Sequence, residues 1–188
     1  MIMGVAQERD LDALLAEQPA GARIELDGGL YVTAGRDQSN RDDHRGITVR
    51  PGWTIEGNGS TIRLDPRRGR GQPRPDALYG IFVSRYGENA KEVRIQDITF
   101  DMGYAADSLH ACSAVGLFGD NMSVERCRVM HWGNGSRIAE SFLISLGAPY
   151  RQGSSLAPQN VIRMSWSGIA APLPDEATPT SMRTGTNT

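Results

Sequence analysis

Residues 53–64 read WTIEGNGSTIRL, and this stretch decides the fold. A short strand, Trp53–Glu56, puts Trp53 and Ile55 on one face. The Gly-Asn-Gly-Ser segment that follows is a turn that needs positive φ. A second strand, Thr61–Leu64, returns Ile62 and Leu64 to the same side. Strands this short bury no core alone. The unit recurs, however, in VRIQDITFDM (93–102), MSVERCRVMHW (122–132) and more weakly in NVIRMSW (160–166), and stacked repeats of such a unit bury one continuous core.

From Ala22 the chain reads as three strands per repeat. First strands are Ile24–Leu26, Trp53–Glu56, Val93–Gln96, Met122–Glu125 and Asn160–Arg163. Second strands are Leu30–Ala34, Thr61–Leu64, Ile98–Met102 and Arg128–Trp132. Third strands are Ile47–Arg50, Gly80–Ser84, Ala114–Phe118 and Ser141–Leu146. Equivalent first-strand positions are Ile24, Ile55, Ile95, Val124 and Ile162. First-to-second connections are tight, and second-to-third connections are long: 35–46, 65–77, 103–113 and 133–140. Like corners stack in a solenoid, so the long loops should line one edge of the third-strand sheet. The third-to-first loops 85–92 and 147–159 should rise on its other edge, making a groove. The sequence thus predicts an all-β parallel β-helix of about four to five coils, in one domain over residues 1–168. Residues 10–18 read as an amphipathic helix capping it, with Asp10 as N-cap and Leu11, Leu14 and Leu15 on one face. Residues 169–188, rich in Pro, Thr, Ser and Gly, read as a flexible tail.

Composition narrows the function classes. A net charge of −2 gives no bulk attraction to nucleic acid or membrane. Of the twenty basic residues only Lys91 is lysine. The start, MIMGVAQERDLDALL, lacks the basic and apolar regions of a secretory signal, and no window reaches membrane-span length. Two cysteines, Cys112 and Cys127, fall at different corners of the coil and should both be free thiols.

The helix, followed by GARIELDGGLYV, WTIEGNGSTI, VRIQDITF and MSVERCRVM, resembles the pectate-lyase-like right-handed parallel β-helix superfamily. That resemblance implies a right-handed coil, with the third strands forming the sheet that carries a substrate groove. It implies recognition of an acidic polysaccharide, with cleavage or epimerisation if the chain is a lyase, glycoside hydrolase or uronate epimerase. The expected partner is a polysaccharide, with neither nucleic acid nor membrane, and no cofactor is expected except calcium if the chain is a lyase. Other members are non-catalytic modules of phage tail spikes or surface adhesins, which implies a homo-oligomer such as a trimer, or a place in a larger β-helix. The Asn-Thr-Asp, Asp-Asp and Gly-His-Gly set of the polygalacturonases is absent here. So are the Trp-x-Asp-His and Arg-x-Pro-x-x-Arg elements of the pectate lyases.

Candidate chemistry follows from the groove. Asp107, His110 and Asp120 are the candidate catalytic residues. Two carboxyls flanking a sugar serve glycoside hydrolysis, whereas a lyase or epimerase needs a base near C5 and a cation to neutralise the uronate. Arg50 and Arg85 end third strands, where each is either a uronate ligand or a solvated strand end. Phe82 and Phe118 either stack on sugar or fill the core. His44, within RDDHRG, is a further candidate for substrate contact. The same loop tip, with Asp42 and Asp43, is either an acid–base or metal set or a plain polar turn. Arg67, Arg68, Arg70 and Arg74 read as a solvated loop, and His131 as an inward residue equivalent to Met102. Asp97 and Arg126 occupy the same bend in successive coils and should form an ion pair, with Glu125 and Arg163 repeating the arrangement.

Overall fold

The computed structural model describes residues 7–40, 42–84, 90–105, 108–137, 143–147 and 161–164. In chain order these form β1 (Arg9–Asp10), α1 (Leu11–Ala16), β2 (Arg23–Glu25), β3 (Leu30–Thr33), β4 (Arg36–Asp37) and β5 (Ile47–Thr48). There follow β6 (Thr54–Leu64), β7 (Leu78–Val83), β8 (Ala90–Lys91), β9 (Arg94–Asp101), β10 (Ala111–Asp120), β11 (Ser123–Met130), β12 (Ile144–Gly147) and β13 (Val161–Met164). Together they make a mostly parallel β-solenoid of about four turns.

The apolar ladder anticipated from sequence sets the register. Ile24 pairs with Ile55, Ile55 with Ile95, Ile95 with Val124 and Val124 with Ile162. A second ladder runs Tyr31, Ile62, Phe100, Val129, and a third Ile47, Phe82, Val115, Ile144. A one-residue slip would turn each ladder outward, so the buried face holds the strands in place. First and second strands merge into β6, β9 and β11, bent at left-handed residues: Asn58 and Gly59 in β6, with φ of 49° and 78°, Asp97 in β9, with φ of 56°, and Arg126 in β11, with φ of 52°. Asn and Asp tolerate that conformation; arginine does so at a cost.

The Asp97 carboxylate meets that cost at the third bend. It accepts two bonds from Arg126, Nε to Oδ1 at 2.7 Å and Nη2 to Oδ2 at 2.6 Å, and this guanidinium holds the carboxyl below its ordinary pKa. In the backbone register Glu125 stands opposite Arg163, one coil on. The Arg126 contribution should split into charge and backbone parts. Arg126→Ala loses the pair and keeps the left-handed strain, whereas Arg126→Gly loses the pair and removes the strain. Urea melts should place the Gly variant above the Ala variant by a fraction of a molar; the reverse order would show that the bend is not strained.

Several expectations need correction. The helix spans six residues rather than 10–18, because the chain turns at Glu17 ahead of Pro19; Asp10 accepts from the Ala13 N–H as its N-cap, and Leu11 and Leu15 enter the core. Segment 35–46 is not only loop: β4 pairs antiparallel with β7, Arg36 opposite Gly80 and Asp37 opposite Tyr79. His131 is exposed with φ of 49°, its Nδ1 2.7 Å from Asp101 Oδ1, because the chain leaves the strand at Met130. Trp53 is fully buried and its indole N–H donates to Pro19 O, whereas Trp132 is 38% exposed. Both cysteines are free, and burial pushes each thiol up to about 11. Trp166 and the segment 169–188 lie outside the described residues.

Candidate functional site

The outward face of the third-strand sheet is plain. Thr48, Val83, Gly116 and Ser145 stack along it. Phe82 points the other way, fully buried, with its ring edge-on to Phe100 at 6.0 Å between centroids, so it packs in the core and does not meet a sugar. Phe118 is outward and 40% exposed, beside Gly147. The Gln38 side chain lies over Gly80 and Gly116, and its Nε2 is buried without a hydrogen-bond partner among the described residues. Gln38, just after β4, therefore covers part of the face expected to be the groove.

The predicted site residues do not converge. His110 immediately precedes β10 and Asp120 ends it; a ten-residue strand at ~3.3 Å per residue separates them by roughly 30 Å. Two groups acting on one glycosidic bond stand ~5–9.5 Å apart. Arg50 donates from Nη2 to Ala16 O at 2.8 Å, so it satisfies a terminal carbonyl of α1. His44 and Asp42 are exposed at their loop tip, while Asp43 is buried and committed elsewhere. Asp107 and Arg85 lie outside the described residues. Among the described residues no group of His, Cys, Asp and Glu is arranged to hold a metal, and no helix is long and apolar enough to cross a membrane.

A cavity of about 410 Å³ opens instead between the long second-to-third loop 65–77 and the described residues of the next one, Gly103, Ala105, Ser108, Leu109 and His110. Arg63, Asp65, Arg67, Arg74, Leu109 and His110 line it, with Pro66, Pro73 and Pro75 in the wall. The segment PRRGRGQPRP that forms much of this wall is pinned, and Arg70 is the pin. Its side chain is 7% exposed and donates to the carbonyls of Ala34 and Gly35 and to Asp43 Oδ2 at 2.6 Å. Its guanidinium also stands over the Tyr79 ring, 5.2 Å from the centroid. The Tyr79 hydroxyl accepts from the Arg74 N–H at 3.0 Å. Arg68 pairs with Asp10 at 2.8 Å. The four arginines are thus not one solvated patch.

His110 forms the floor. It is 6% exposed, edge-on to Tyr79 at 5.4 Å and to Tyr104 at 6.3 Å, and has no hydrogen-bond partner for its ring among the described residues. Burial, and then the charge of Arg67, push its pKa down, so the imidazole is neutral at neutral pH. Asp76, left-handed with φ of 60°, ties the surrounding loops together. Its N–H donates to Leu109 O at 2.8 Å, and its carboxylate accepts from the Arg137 N–H at 2.6 Å and Ser136 Oγ at 3.2 Å.

Sequence reasoning missed Arg63, Asp65 and Leu109 as site residues and set Arg67 and Arg74 aside; the sole signal was the arginine run itself. Compared with protein-family models, curated proteins and solved structures, the chain matches none.

Proposed function

We propose that this protein recognises an acidic polysaccharide, and that the cavity beside the 65–77 loop is where it does so. The observation that carries the reading is Arg67. Its guanidinium lines the cavity with no ion-pair or hydrogen-bond partner among the described residues, on a wall held rigid by Arg70. An exposed guanidinium without a partner among the described residues is a carboxylate ligand. The likeness of the repeats to the pectate-lyase-like right-handed β-helix superfamily supports the same substrate class. The wide separation of His110 and Asp120 supports binding over cleavage.

The test is retardation of the full chain in native gels containing polygalacturonate, alginate or hyaluronate, with dextran as the neutral control. At least one acidic polymer should retard the protein and dextran should not, with Arg67→Ala abolishing most of the shift. The same incubations, read for an unsaturated product or new reducing ends, report any lyase or hydrolase activity. A second reading is a non-catalytic structural module of a tail spike or adhesin, assembled as an oligomer or within a longer β-helix. The Thr48, Val83, Gly116, Ser145 face favours it, and retardation by no acidic polymer would put it in front.

A further inference from the structure

We infer that Asn58 is a site of spontaneous covalent modification, where ring closure onto the Gly59 nitrogen converts the amide to aspartate and isoaspartate. The inference is independent of what the protein binds. The chain holds two Asn-Gly pairs, Asn58-Gly59 and Asn134-Gly135, and both asparagines are exposed. Glycine leaves the nitrogen after an asparagine unshielded by a Cβ. The fold treats the two pairs in opposite ways. At the second, the Gly135 N–H donates to His110 O at 3.0 Å, Asn134 Oδ1 accepts the Ser136 N–H at 2.9 Å, and the backbone bridges to Ala111. A Cβ on Gly135 would also run into the Ser108 carbonyl oxygen. Both reacting groups are thus already engaged. At the first pair, Gly59 is exposed with nothing within 4 Å of a Cβ. The Asn58 side chain is held through Nδ2, which donates to Leu26 O at 2.7 Å, and its Oδ1 has no hydrogen-bond partner among the described residues. Residues 57–59 also fall between the paired stretches: β6 pairs with its neighbours up to Glu56 and again from Ser60. Turning Asn58 toward Gly59 therefore breaks none of these backbone pairs.

In the reaction the Gly59 nitrogen gives its proton to water and bonds to Asn58 Cγ. The Cγ–Nδ2 bond breaks, and Nδ2 leaves as ammonia with a proton from water. Water then opens the cyclic imide at either carbonyl: one opening leaves aspartate, the other isoaspartate, whose backbone runs through the side chain. No oxidant or reductant enters, and base favours loss of the amide proton. Either product undoes the corner. Nδ2 is the donor to Leu26 O, and a carboxylate oxygen in its place sets an acceptor against an acceptor. The new anion also stands one coil from Asp97, whose carboxylate is already matched to Arg126. Isoaspartate lengthens the backbone at a left-handed bend that Gly28 approaches closely, and from which its N–H reaches Ser60 Oγ at 3.0 Å. The modification therefore loosens β2 and β3 from β6.

The experiment incubates the full folded chain in neutral and mildly alkaline buffer and follows each asparagine by peptide mass mapping. Isoaspartyl methyltransferase labelling separates the two products. Asn58 should convert at least about tenfold faster than Asn134, and faster as pH rises. Gly59→Ala, checked for folding by a thermal melt, should slow conversion at Asn58 by about tenfold or more. Asn58→Asp reproduces the aspartate product. It should speed backbone hydrogen exchange by about tenfold at Leu26, whose N–H donates to Glu56 O, and leave exchange at Met102 unchanged. Equal rates at Asn58 and Asn134, a comparison that needs no variant, would overturn the inference. So would a rate at Asn58 indifferent to Gly59→Ala. Conversion of Asn58 in the urea-unfolded chain alone would overturn it too, since the native bend would then be protective. Unchanged exchange at Leu26 in Asn58→Asp would refute the loosening of the corner.

Discussion

Arg70→Ala is expected to destabilise the fold by about 3 kcal/mol, because it leaves the buried Asp43 carboxylate with only the longer pair to Arg45 Nε at 3.9 Å among the described residues. Asp43 is 6% exposed, so water does not replace the lost partner. The Ala34 and Gly35 carbonyls lose their donors in the same step. For a chain of 188 residues, about 2–4 °C per kcal/mol makes this a fall of roughly 10 °C in Tm. Arg70→Lys should fall between, since an ammonium keeps the charge without the planar fork that reaches three acceptors. Burial pushes the Asp43 carboxyl up, but the Asp37 N–H, Arg70 and the Arg45 N–H outweigh it and hold the group below its usual value. Its contribution is therefore present above the unfolded value of ~3.9 and is lost as pH falls through the lower folded value. A pH series of melts should show this acid limb in the wild type and a smaller one in Arg70→Ala. On the proposed reading, Arg70→Ala should also lose retardation by acidic polymers, although Arg70 does not line the cavity, because the wall it pins is released.

Gly57→Ala is the second large effect. A Cβ at Gly57 would be driven into the Asp97 carbonyl oxygen and Ile98 Cγ1, and would stand 2.8 Å from the Asp97 carbonyl carbon. The obstacle is the backbone of the next coil, which cannot move without breaking the β6–β9 ladder. Overpacking of this kind should cost about 3 kcal/mol or more. Gly59, two residues on, is the control: its φ is +78° and nothing lies within 4 Å of a Cβ there. Gly59→Ala should cost only the left-handed penalty of about 1–2 kcal/mol. Equal urea midpoints for the two variants would show that the coils are not stacked this closely.

The contrast marks what the sequence carries. Ile24, Ile55, Ile95, Val124 and Ile162 are legible because each sits in a clean period-two pattern beside a turn, and Asp97 over Arg126 follows from that alignment. Phe82 was not, because Tyr79-Gly80-Ile81-Phe82-Val83 is apolar almost throughout, and a run without alternation does not say which side faces in. The cavity was not legible for a different reason. Arg67 and Arg70 stand three residues apart in the same run, yet one is a buried pin and the other an open cation. The difference lies in Ala34, Gly35 and Asp43, supplied by the preceding coil, and no local pattern encodes a partner at that distance.

The Asp76 tie has a consequence for how the molecule comes apart. In a solenoid whose repeats touch only their neighbours, coils can peel from an open end one at a time. Asp76 reaches past the loop of the adjoining coil, which it holds through Leu109 O, to Ser136 and Arg137 of the coil beyond. Gly135 adds a bond to His110 O, and Ala111 one to Ala77 O. The long-loop side thus laces three successive coils into one cooperative unit. Loosening the coil that carries Ser136 and Arg137 pulls on the floor and the wall of the cavity together, so the two give way as a single event.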